Sequence, residues 1–246
     1  MTLPLLEAAA AAMGHPLSPA QFDLFERFRQ LLAEWNSKIN VTAIRDSDSV
    51  ETLHFVDSLS ALPALPATAG TSLVDIGSGG GLPGLALRLA RPDLALTLVD
   101  SVGKKVKVMT EIATGLGLME NPADGGPPVR LVTGRAEDLG QDKKLRESFD
   151  VATARAVGAT ILVAEFTLPF VRKGGRVLLW KKRDIDAELA EAANAIRKLG
   201  GRLGKQFPVD LPGLPPDRQV ITIDKIAPGS PKYPRPVGIP AKEPLR

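Results

Sequence analysis

The stretch LVDIGSGGGLPG, residues 73–84, joins a short apolar run to a loop of five glycines and one proline. A short apolar run ending in glycines is typical of a buried strand whose carboxyl end opens into a ligand-binding loop. The glycines at 79, 81 and 84 also match the G-x-G-x-x-G spacing of dinucleotide sites, although this pattern alone is weak. The ligand of this loop therefore decides how the chain is interpreted.

Two residues of the loop disfavour a phosphate. Asp75 precedes the glycines, where its charge would repel a diphosphate, and Pro83 lacks the N–H that a pyrophosphate needs. No Gly-Lys-Ser/Thr follows, which excludes a P-loop. An acid beside the loop instead favours S-adenosylmethionine, an adenosine-containing methyl donor that carries positive charge and no phosphate. Glycine backbone at 77 and 79 allows such a flat ligand to lie against the strand ends.

Outward from this loop, short apolar runs alternate with helical stretches. This alternation predicts an α/β fold with a doubly wound, mostly parallel, Rossmann-like sheet. A late run at 218–226 follows a Pro-rich turn and is expected to run antiparallel at or near an edge. The predicted strands are SLVDI, LTLVD, VRLVT, FDVATA and RVLLW, and the predicted helices cover 83–90, 102–117, 159–172 and 185–199.

Ahead of the loop, residues 1–66 are predicted to form a helical N-terminal extension packed on the core. Ser18, Pro19 and Gln21 form a helix start with a capping box. A second helix is expected over 49–62, and PALPATAG ends it. Residues 67–246 are expected to form the second part of a single globular unit. The helix after Ser18 carries an apolar stripe made of Phe22, Phe25, Phe28, Leu32 and Trp35.

Composition restricts the chemistry and the location. The 246 residues include no cysteine and two histidines, so a thiolate nucleophile is excluded and a metal site is not expected. No apolar run is long enough to span a bilayer, and we expect a cytoplasmic protein. The net charge of +3 permits a nucleic-acid partner. Residues 225–246 contain six prolines and five Lys or Arg, which predicts a basic arm or surface wrap rather than a helix.

Further candidate contacts follow the other strands. Asp100 ends the second strand, where a carboxylate can accept both ribose hydroxyls, can cap the next helix, or can do both. GRAED, 134–138, follows the third strand and is placed to meet an adenine edge. Arg155 follows the fourth strand and is expected to guide an RNA phosphate or the donor carboxylate, unless it pairs with a neighbouring acid.

Together these motifs resemble a known family. The chain is similar to the bacterial 16S ribosomal RNA guanine-N7 methyltransferases, the RsmG or GidB family, over nearly its whole length. The motifs that carry this resemblance are NVTAIRD and the helix with His54 and Asp57, DIGSGGGLPG, LVDSVGKKVKVM, GRAED, FDVATARAV, FVRKGGRVLLWKK and YPRPVGIPAKEPL.

The resemblance implies a seven-stranded class I S-adenosylmethionine-dependent methyltransferase sheet. It implies a guanine of 16S rRNA as substrate, reached in the small ribosomal subunit or its assembly intermediate. Lys182 stands where the family often has glycine, which puts the backbone there in doubt. The cofactor contacts implied are Gly77, Leu82, Ala136, Glu137 and Arg155, with Asp100 facing the ribose, and the loop residues Asp75 and Gly79 complete our set.

Guanine N7 carries a lone pair and no proton, so its methylation needs positioning rather than a general base. We therefore assign no catalytic base, and Arg155 and Lys181 are the candidates for a direct role. Lys104, Lys105 and Lys107 fit a solvated helix face. His54 and Asp57 either reach the substrate side or form a buried polar pair. The residues expected to face RNA are Lys181, Lys182, Arg183, Lys232 and Arg235, with Arg172, Lys173, Arg176 and Lys242 in the same two basic groups.

Other functions stay open from the sequence alone. They are a methyltransferase of the same fold that acts on another RNA or a small molecule, a catalytically silent RNA-binding module, and a nicotinamide oxidoreductase. Nothing in the sequence calls for more than a monomer. The sequence also does not separate naked rRNA, an assembly intermediate and the mature subunit as substrates.

Overall fold

The computed structural model describes residues 3–42, 44 and 46–246. The NVTAIRD motif at 40–46 therefore lies partly outside the described residues. A π-helical segment, Val50–Val56, joins α3 to α4. The helices are α1 Pro4–Ala12, α2 Pro19–Lys38, α3 Ser47–Ser49, α4 Asp57–Leu59, α5 Gly84–Ala90, α6 Gly103–Gly115, α7 Ala136–Leu139, α8 Thr160–Thr167, α9 Asp186–Lys198 and α10 Ile239–Lys242. The strands are β1 Ser72–Ile76, β2 Ala95–Asp100, β3 Arg130–Thr133, β4 Phe149–Ala154, β5 Val171–Lys182, β6 Gly201–Pro208 and β7 Arg218–Lys225.

The seven strands form one sheet in the order β3-β2-β1-β4-β5-β7-β6. Strands β1 to β5 pair in parallel, and β7 lies antiparallel between β5 and β6. The chain steps from β1 outward to β3 and then returns to the other side of β1 with β4. In parallel sheets, ligands bind at the carboxyl ends of the strands where the strand order reverses. The glycine loop after β1 opens at that point, and the predicted α/β fold is confirmed.

Both faces of the sheet are covered. Along β5, Leu178 and Trp180 belong to a core shared with α2, α5 and α6, whereas Val177 and Leu179 belong to a second core with α8 and α9. The alternation follows from the two-residue period of a strand. The sheet is therefore doubly wound, as predicted.

The N-terminal extension shares the first of these cores. The predicted capping box is present: the Ser18 Oγ accepts from the Gln21 N–H, and the Gln21 side chain accepts from the Ser18 N–H. Phe25 and Phe28 are fully buried and contact the ring of Phe55, with centroids 5.2 and 5.4 Å apart. The aromatic stripe thus anchors α2 to the π-helical segment that leads toward the strand ends.

Four elements differ from the sequence-based prediction. The helix predicted over 49–62 is mostly the π-helical segment, flanked by single α-turns. The helix predicted to reach residue 172 ends at Thr167, because Pro169 lacks an N–H and β5 begins at Val171. Strand β6 was not predicted, and α10 forms inside the tail that was expected to lack a helix. Among the described residues, no helix combines the length and apolarity needed to cross a membrane.

Candidate active site at the carboxyl end of the sheet

Most N–H groups of the glycine loop already donate to acceptors within the protein. The N–H groups of Gly77 and Ser78 both donate to the Val99 carbonyl, and that of Gly79 donates to Asp100 Oδ2 at 3.0 Å. Those of Gly81 and Leu82 donate to the Ser78 carbonyl. A pyrophosphate site needs free N–H donors at this position. The loop is therefore poorly suited to a dinucleotide.

The Asp75 side chain is buried and stabilises this loop by hydrogen bonding. It is fully buried, and its carboxylate accepts from the Gly84 N–H at 3.1 Å and from the Thr153 hydroxyl at 2.9 Å. Burial raises the pKa of Asp75 to about 6, and these hydrogen bonds oppose that shift. The expectation that Asp75 contacts the cofactor is wrong for its side chain, because both oxygens point into the protein rather than the crevice.

Two glycines are required by their surroundings. Gly77 has φ +74°, and a Cβ there would lie 3.0 Å from a methyl of Val157, on the far side of the crevice. A Cβ on Gly84 would lie 2.6 Å from Leu98, so only glycine lets α5 begin this close to β2. Gly77 is exposed and Gly79 is half-buried, so the loop presents a floor of backbone without side chains, which suits a planar ligand. The Leu82 side chain, in contrast, is buried in the core.

Asp100 stands at the edge of this floor. Its Oδ2 accepts from the Gly79 N–H and its Oδ1 from the Val102 N–H at 2.9 Å, so it links the glycine loop to the start of α6. Both partners are neutral backbone groups, so these contacts do not neutralise the carboxylate charge. A carboxylate fixed at a strand end can accept further hydrogen bonds from hydroxyl groups. The helix-capping and ribose-facing interpretations of Asp100 are thus compatible.

The third strand adds a second carboxylate. The Gly134 N–H donates to the Asp100 carbonyl at 3.1 Å, so α7 begins beside Asp100. Ala136 opens α7 and is half-buried, and Glu137 is 8% exposed. The Glu137 Oε1 accepts from the Gly238 N–H in the C-terminal tail at 3.3 Å. The structure therefore brings Gly77, Gly79, Asp100, Ala136 and Glu137 to one edge of the sheet, and it places the tail there as well.

Arg155 is held by an acid from the N-terminal extension. Its guanidinium donates to Asp57 Oδ2 at 2.8 Å and to the carbonyls of Leu53 and His54 at 3.3 and 3.5 Å. The side chains of Arg155 and Asp57 are 13% and 5% exposed. The alternative of an arginine paired with an acid is therefore the one observed, although the partner lies far away in sequence. Arg155 is not a free cation pointing into the crevice.

His54 and Asp57 are both buried, and His54 lies next to the Arg155–Asp57 pair. His54 Nε2 contacts the Thr42 hydroxyl at 2.8 Å, whereas His54 Nδ1 and Asp57 Oδ1 lack a hydrogen-bond partner in the described part of the chain. Burial, and then the charge of Arg155, lowers the pKa of His54 to about 4, so the ring is neutral at pH 7. Both residues lie at the π-helical segment, a form that is frequent at functional sites.

Lys181 and Glu188 fix the loop after Arg155. Glu188 Oε1 accepts from the N–H and hydroxyl of Thr160 and from Lys181 Nζ, all at 2.6 Å. Lys181 Nζ also donates to the Gly158 carbonyl at 3.3 Å. Ala156 in this loop has φ +58°, a strained value for a residue with a side chain. Lys181 therefore holds the loop rather than facing RNA.

The basic residues of β5 lie at opposite ends of the molecule. Strand β5 is 12 residues long, so its ends are roughly 35 Å apart. Arg172, Lys173 and Arg176 lie at its amino end, away from the crevice, and Arg172 is ion-paired with Asp150. Lys182 and Arg183 lie at the carboxyl end, and the Lys182 side chain is 74% exposed. The prediction of a single RNA-facing group around β5 is therefore wrong for its first half.

The two tail residues predicted to face RNA, Lys232 and Arg235, differ in their surroundings. Lys232 is exposed, but Arg235 forms a bidentate pair with Glu165, at 2.9 Å from Nε and 2.7 Å from the terminal nitrogen. Glu165 is 1% exposed. The expectation that Arg235 faces RNA is wrong, because the buried carboxylate needs its charge and the pair holds the tail to α8.

Three functional supports were missed by sequence reasoning. Glu188 and Glu165 are single acids in ordinary helical patterns; Glu188 binds Thr160, 28 residues away, as well as Lys181, and Glu165 binds Arg235, 70 residues away. Trp180 was quoted only as part of a strand, yet its indole N–H donates to the Asp57 carbonyl at 2.6 Å. No local signal in the sequence marks these contacts.

Comparison with known sequences places this geometry in context. The profile of the family described as rRNA small subunit methyltransferase G (GidB) matches residues 21–206. The Ribosomal RNA small subunit methyltransferase G of Roseiflexus sp. (strain RS-1) is 42% identical over 241 residues, which cover 98% of this chain and 99% of the relative. The protein of the same name from Exiguobacterium sp. (strain ATCC BAA-1283 / AT1b) is 40% identical over 237 residues, 96% of each chain.

Solved structures support the fold. The methyltransferase in complex with the Haloferax volcanii Trm112 activator superimposes with a TM-score of 0.55 at 15% identity, over 81% of this chain and 98% of the other. TrmN from Thermus thermophilus gives 0.51 at 19% identity, over 70% of this chain and 48% of the other. At these identities the likeness concerns the class I methyltransferase fold alone.

Proposed function

Because the chain belongs to the rRNA small subunit methyltransferase G family, we propose that it transfers a methyl group to N7 of one guanine in 16S ribosomal RNA. Family membership makes the chain a methyltransferase that uses S-adenosylmethionine. The finer points, which are the N7 atom, the form of the RNA, the monomeric state and the cytoplasmic location, belong to the proposal.

One observation carries the choice of ligand. Most N–H groups of the glycine loop already donate to acceptors of the protein, and two carboxylates, Asp100 and Glu137, stand at its rim. Such a rim repels phosphates and accepts hydrogen bonds from hydroxyl and amino groups. The residues present therefore fit a cationic adenosine derivative. We propose that Gly77, Gly79, Ala136, Glu137 and Asp100 hold it, with Asp100 on the ribose.

The proposed methyl transfer does not require a side chain that acts as a catalytic base. Bound S-adenosylmethionine supplies a methyl group on a positively charged sulfur. Guanine N7 attacks with an existing lone pair, so no residue has to remove a proton, and alignment of the two reactants is the main requirement. We propose that the loop 155–159, fixed by Asp57, Lys181 and Glu188, provides this alignment as the wall of the crevice.

The RNA surface follows from position and exposure. Lys182 and Arg183 lie at the carboxyl end of β5, on the crevice side of the sheet, and Lys232 is exposed in the tail. We propose that these cations contact RNA phosphates. Arg183 donates to the carbonyls of Arg218 and Val209, which fixes its orientation and leaves its charge unpaired in these contacts.

The proposal is tested by transfer of labelled methyl groups from S-adenosylmethionine to three substrates: naked 16S rRNA, a partly assembled small subunit and the mature subunit. Nucleosides from the labelled RNA are then separated by mass spectrometry. We expect label in 7-methylguanosine from at least one substrate. Label in another nucleoside would replace the N7 assignment, and label in no RNA would leave a small-molecule substrate or a silent RNA-binding module.

A further inference from the structure

The C-terminal tail reaches the donor site. After β7 ends at Lys225, the chain crosses α7 and α8 and arrives at Glu137, whose carboxylate accepts from the Gly238 N–H. Glu137 is one of the two acids at the rim of the crevice. Val237 and Ile239, on either side of Gly238, are 45% and 36% exposed and are among the few large apolar side chains at the described surface.

The tail is fastened by an arginine, Arg146, whose guanidinium donates mainly to backbone carbonyls. Arg146 donates to the carbonyls of Tyr233 at 2.6 Å, Ser230 at 3.0 Å and Gly229 at 3.3 Å, and to the Gly140 carbonyl at 2.9 Å. One guanidinium thus collects three tail carbonyls. A planar group with five donors is suited to fixing a backbone segment in this way.

Other contacts hold the same segment in one register. Gln141 donates to the carbonyls of Pro231 and Pro234. Arg235 is paired with the buried Glu165, which also accepts from the Arg235 N–H at 2.9 Å. The Pro234 ring lies against Gly140, where a Cβ would come within 2.8 Å of it. These bonds tie the segment to the protein surface, so it is not a mobile arm.

We propose that tail residues 229–239 are a positioning element of the donor site: they hold Glu137 in its binding orientation and form the outer wall of the adenosine end. Arg146 acts through the tail as a positioning residue. Preorganising a binding group in this way raises affinity because less freedom is lost on binding. This inference rests on the proposed function, since it requires the donor to bind beside Glu137.

The test uses S-adenosylhomocysteine, the reaction product, as the probe. Calorimetry on full-length protein gives its Kd for the wild type, for Arg146→Met and for the control Arg246→Ala. Arg246 lies at the end of the same tail; its side chain forms an exposed ion pair with Glu191 at 3.6 Å, and its backbone oxygen, which the substitution keeps, accepts from Lys198. We expect Arg146→Met to raise the Kd about ten-fold and to raise the KM for S-adenosylmethionine by the same factor, with kcat unchanged. Arg246→Ala is expected to match the wild type.

Hydrogen exchange supplies a second readout that does not depend on turnover. We expect S-adenosylhomocysteine to slow exchange of the amides of residues 229–239 in the wild type and to have a smaller effect in Arg146→Met. If Arg146→Met fails to fold, Gln141→Ala, at an exposed position, serves in its place with an expected two- to three-fold rise in Kd.

The outcomes are distinguishable. An unchanged Kd in a folded Arg146→Met or Gln141→Ala protein overturns the inference. A loss of RNA affinity with an unchanged Kd for S-adenosylhomocysteine also overturns it, and makes the tail an RNA arm. If the wild type itself does not bind S-adenosylhomocysteine, the proposed function fails rather than the role of the tail.

Discussion

The guanidinium of Arg155 donates to the carboxylate of Asp57 at 2.8 Å, although 98 residues separate them in sequence. Asp57 directly follows the π-helical segment of the N-terminal extension, and Arg155 follows β4. Trp180, on β5, donates to the Asp57 backbone in the same place. The extension therefore contacts residues at the carboxyl ends of β4 and β5 directly, so changes in it are expected to reach this end of the sheet.

This pair gives the first prediction. Removal of one partner leaves a charge in a largely buried position, so Asp57→Asn and Arg155→Met are each expected to lower the free energy of unfolding by about 3 kcal/mol. The double variant is expected to lose less than the sum, because the remaining charge is removed as well. Urea unfolding of the four proteins measures this coupling. Additive losses would show that the two side chains act independently.

The second prediction concerns pH. The pKa of His54 is lowered to about 4 in the folded protein, mainly by burial, whereas the unfolded ring titrates near 6.5. Between these values the unfolded state binds the extra proton, so the wild type loses stability as pH falls from 6.5 to 4. Over this pH range the free energy of unfolding of the wild type is expected to fall by about 3 kcal/mol more than that of His54→Gln.

The comparison with His54→Gln is needed because Asp75 titrates in the same window. Its raised pKa, about 6, makes the folded state bind the proton first, so its contribution to stability falls as pH rises. Asp75 is present in both proteins and cancels in the difference. Urea unfolding from pH 7 to pH 4 measures that difference. Parallel curves for the two proteins would mean that His54 titrates normally.

The third prediction separates the two ends of β5. Lys182 lies at the crevice end and Lys173 at the opposite end, and both are exposed. Lys182→Ala is expected to weaken binding to small-subunit rRNA and to reduce the slope of log affinity against log salt by about 0.7 to 1, as for one lost phosphate contact. Lys173→Ala is the matched control, expected to leave the slope unchanged. Equal slopes for both variants would remove Lys182 from the RNA surface.

Lys181 is excluded from that test for a structural reason. Its amino group is paired with Glu188 and its side chain is 14% exposed, so reversing its charge would disturb the loop after β4 as well as any RNA contact. Simultaneous charge reversal of Lys181 and Lys182 would therefore confuse two effects.

The fourth prediction concerns Glu188 as a positioning residue. Glu188→Ala removes the acceptor of Thr160 and Lys181, whereas Glu188→Gln keeps an acceptor for Thr160. We expect kcat/KM to fall about ten-fold in Glu188→Ala, the effect of about 1.4 kcal/mol, and Glu188→Gln to recover most of it. Methyl-transfer kinetics measure both variants.

A neighbouring acid controls for the loss of charge. Glu191 lies on the same helix and forms an exposed ion pair with Arg246, so Glu191→Ala is expected to resemble the wild type. If Glu188→Gln were as impaired as Glu188→Ala, the charge on Lys181 would matter more than the position of the loop. Wild-type kinetics in both would remove Glu188 from the site.

The sequence predicted the parts of the fold whose signals are local. SLVDI and LTLVD are rich in apolar residues because parallel strands are buried on both faces, and Ser18 with Gln21 marks a helix start. Strand β6, GRLGKQFP, has no such signal: it lies at the sheet edge, is mostly exposed and has few apolar residues. Its pairing with β7 comes from the neighbouring strand rather than from its own sequence.

The site was predicted in the same partial way. Residues at strand ends, such as Asp100 and Glu137, follow from the rule that parallel strands present their carboxyl ends together. The fold brings an acid next to each of three predicted site residues, Arg155, Lys181 and Arg235, and this pairing determines what each of them can contact. A free cation and a paired one look alike in sequence, so only the structure separates them.

The crevice above β1 and β2 is proposed to take a phosphate-free, adenosine-containing methyl donor. The most direct measurement is a crystal structure of the protein grown with S-adenosylhomocysteine. We expect its ribose hydroxyls within hydrogen-bonding distance of the Asp100 carboxylate and its adenine beside Ala136 and Glu137. An empty crevice at saturating ligand, or a ligand bound through a pyrophosphate at the glycine loop, would contradict the account.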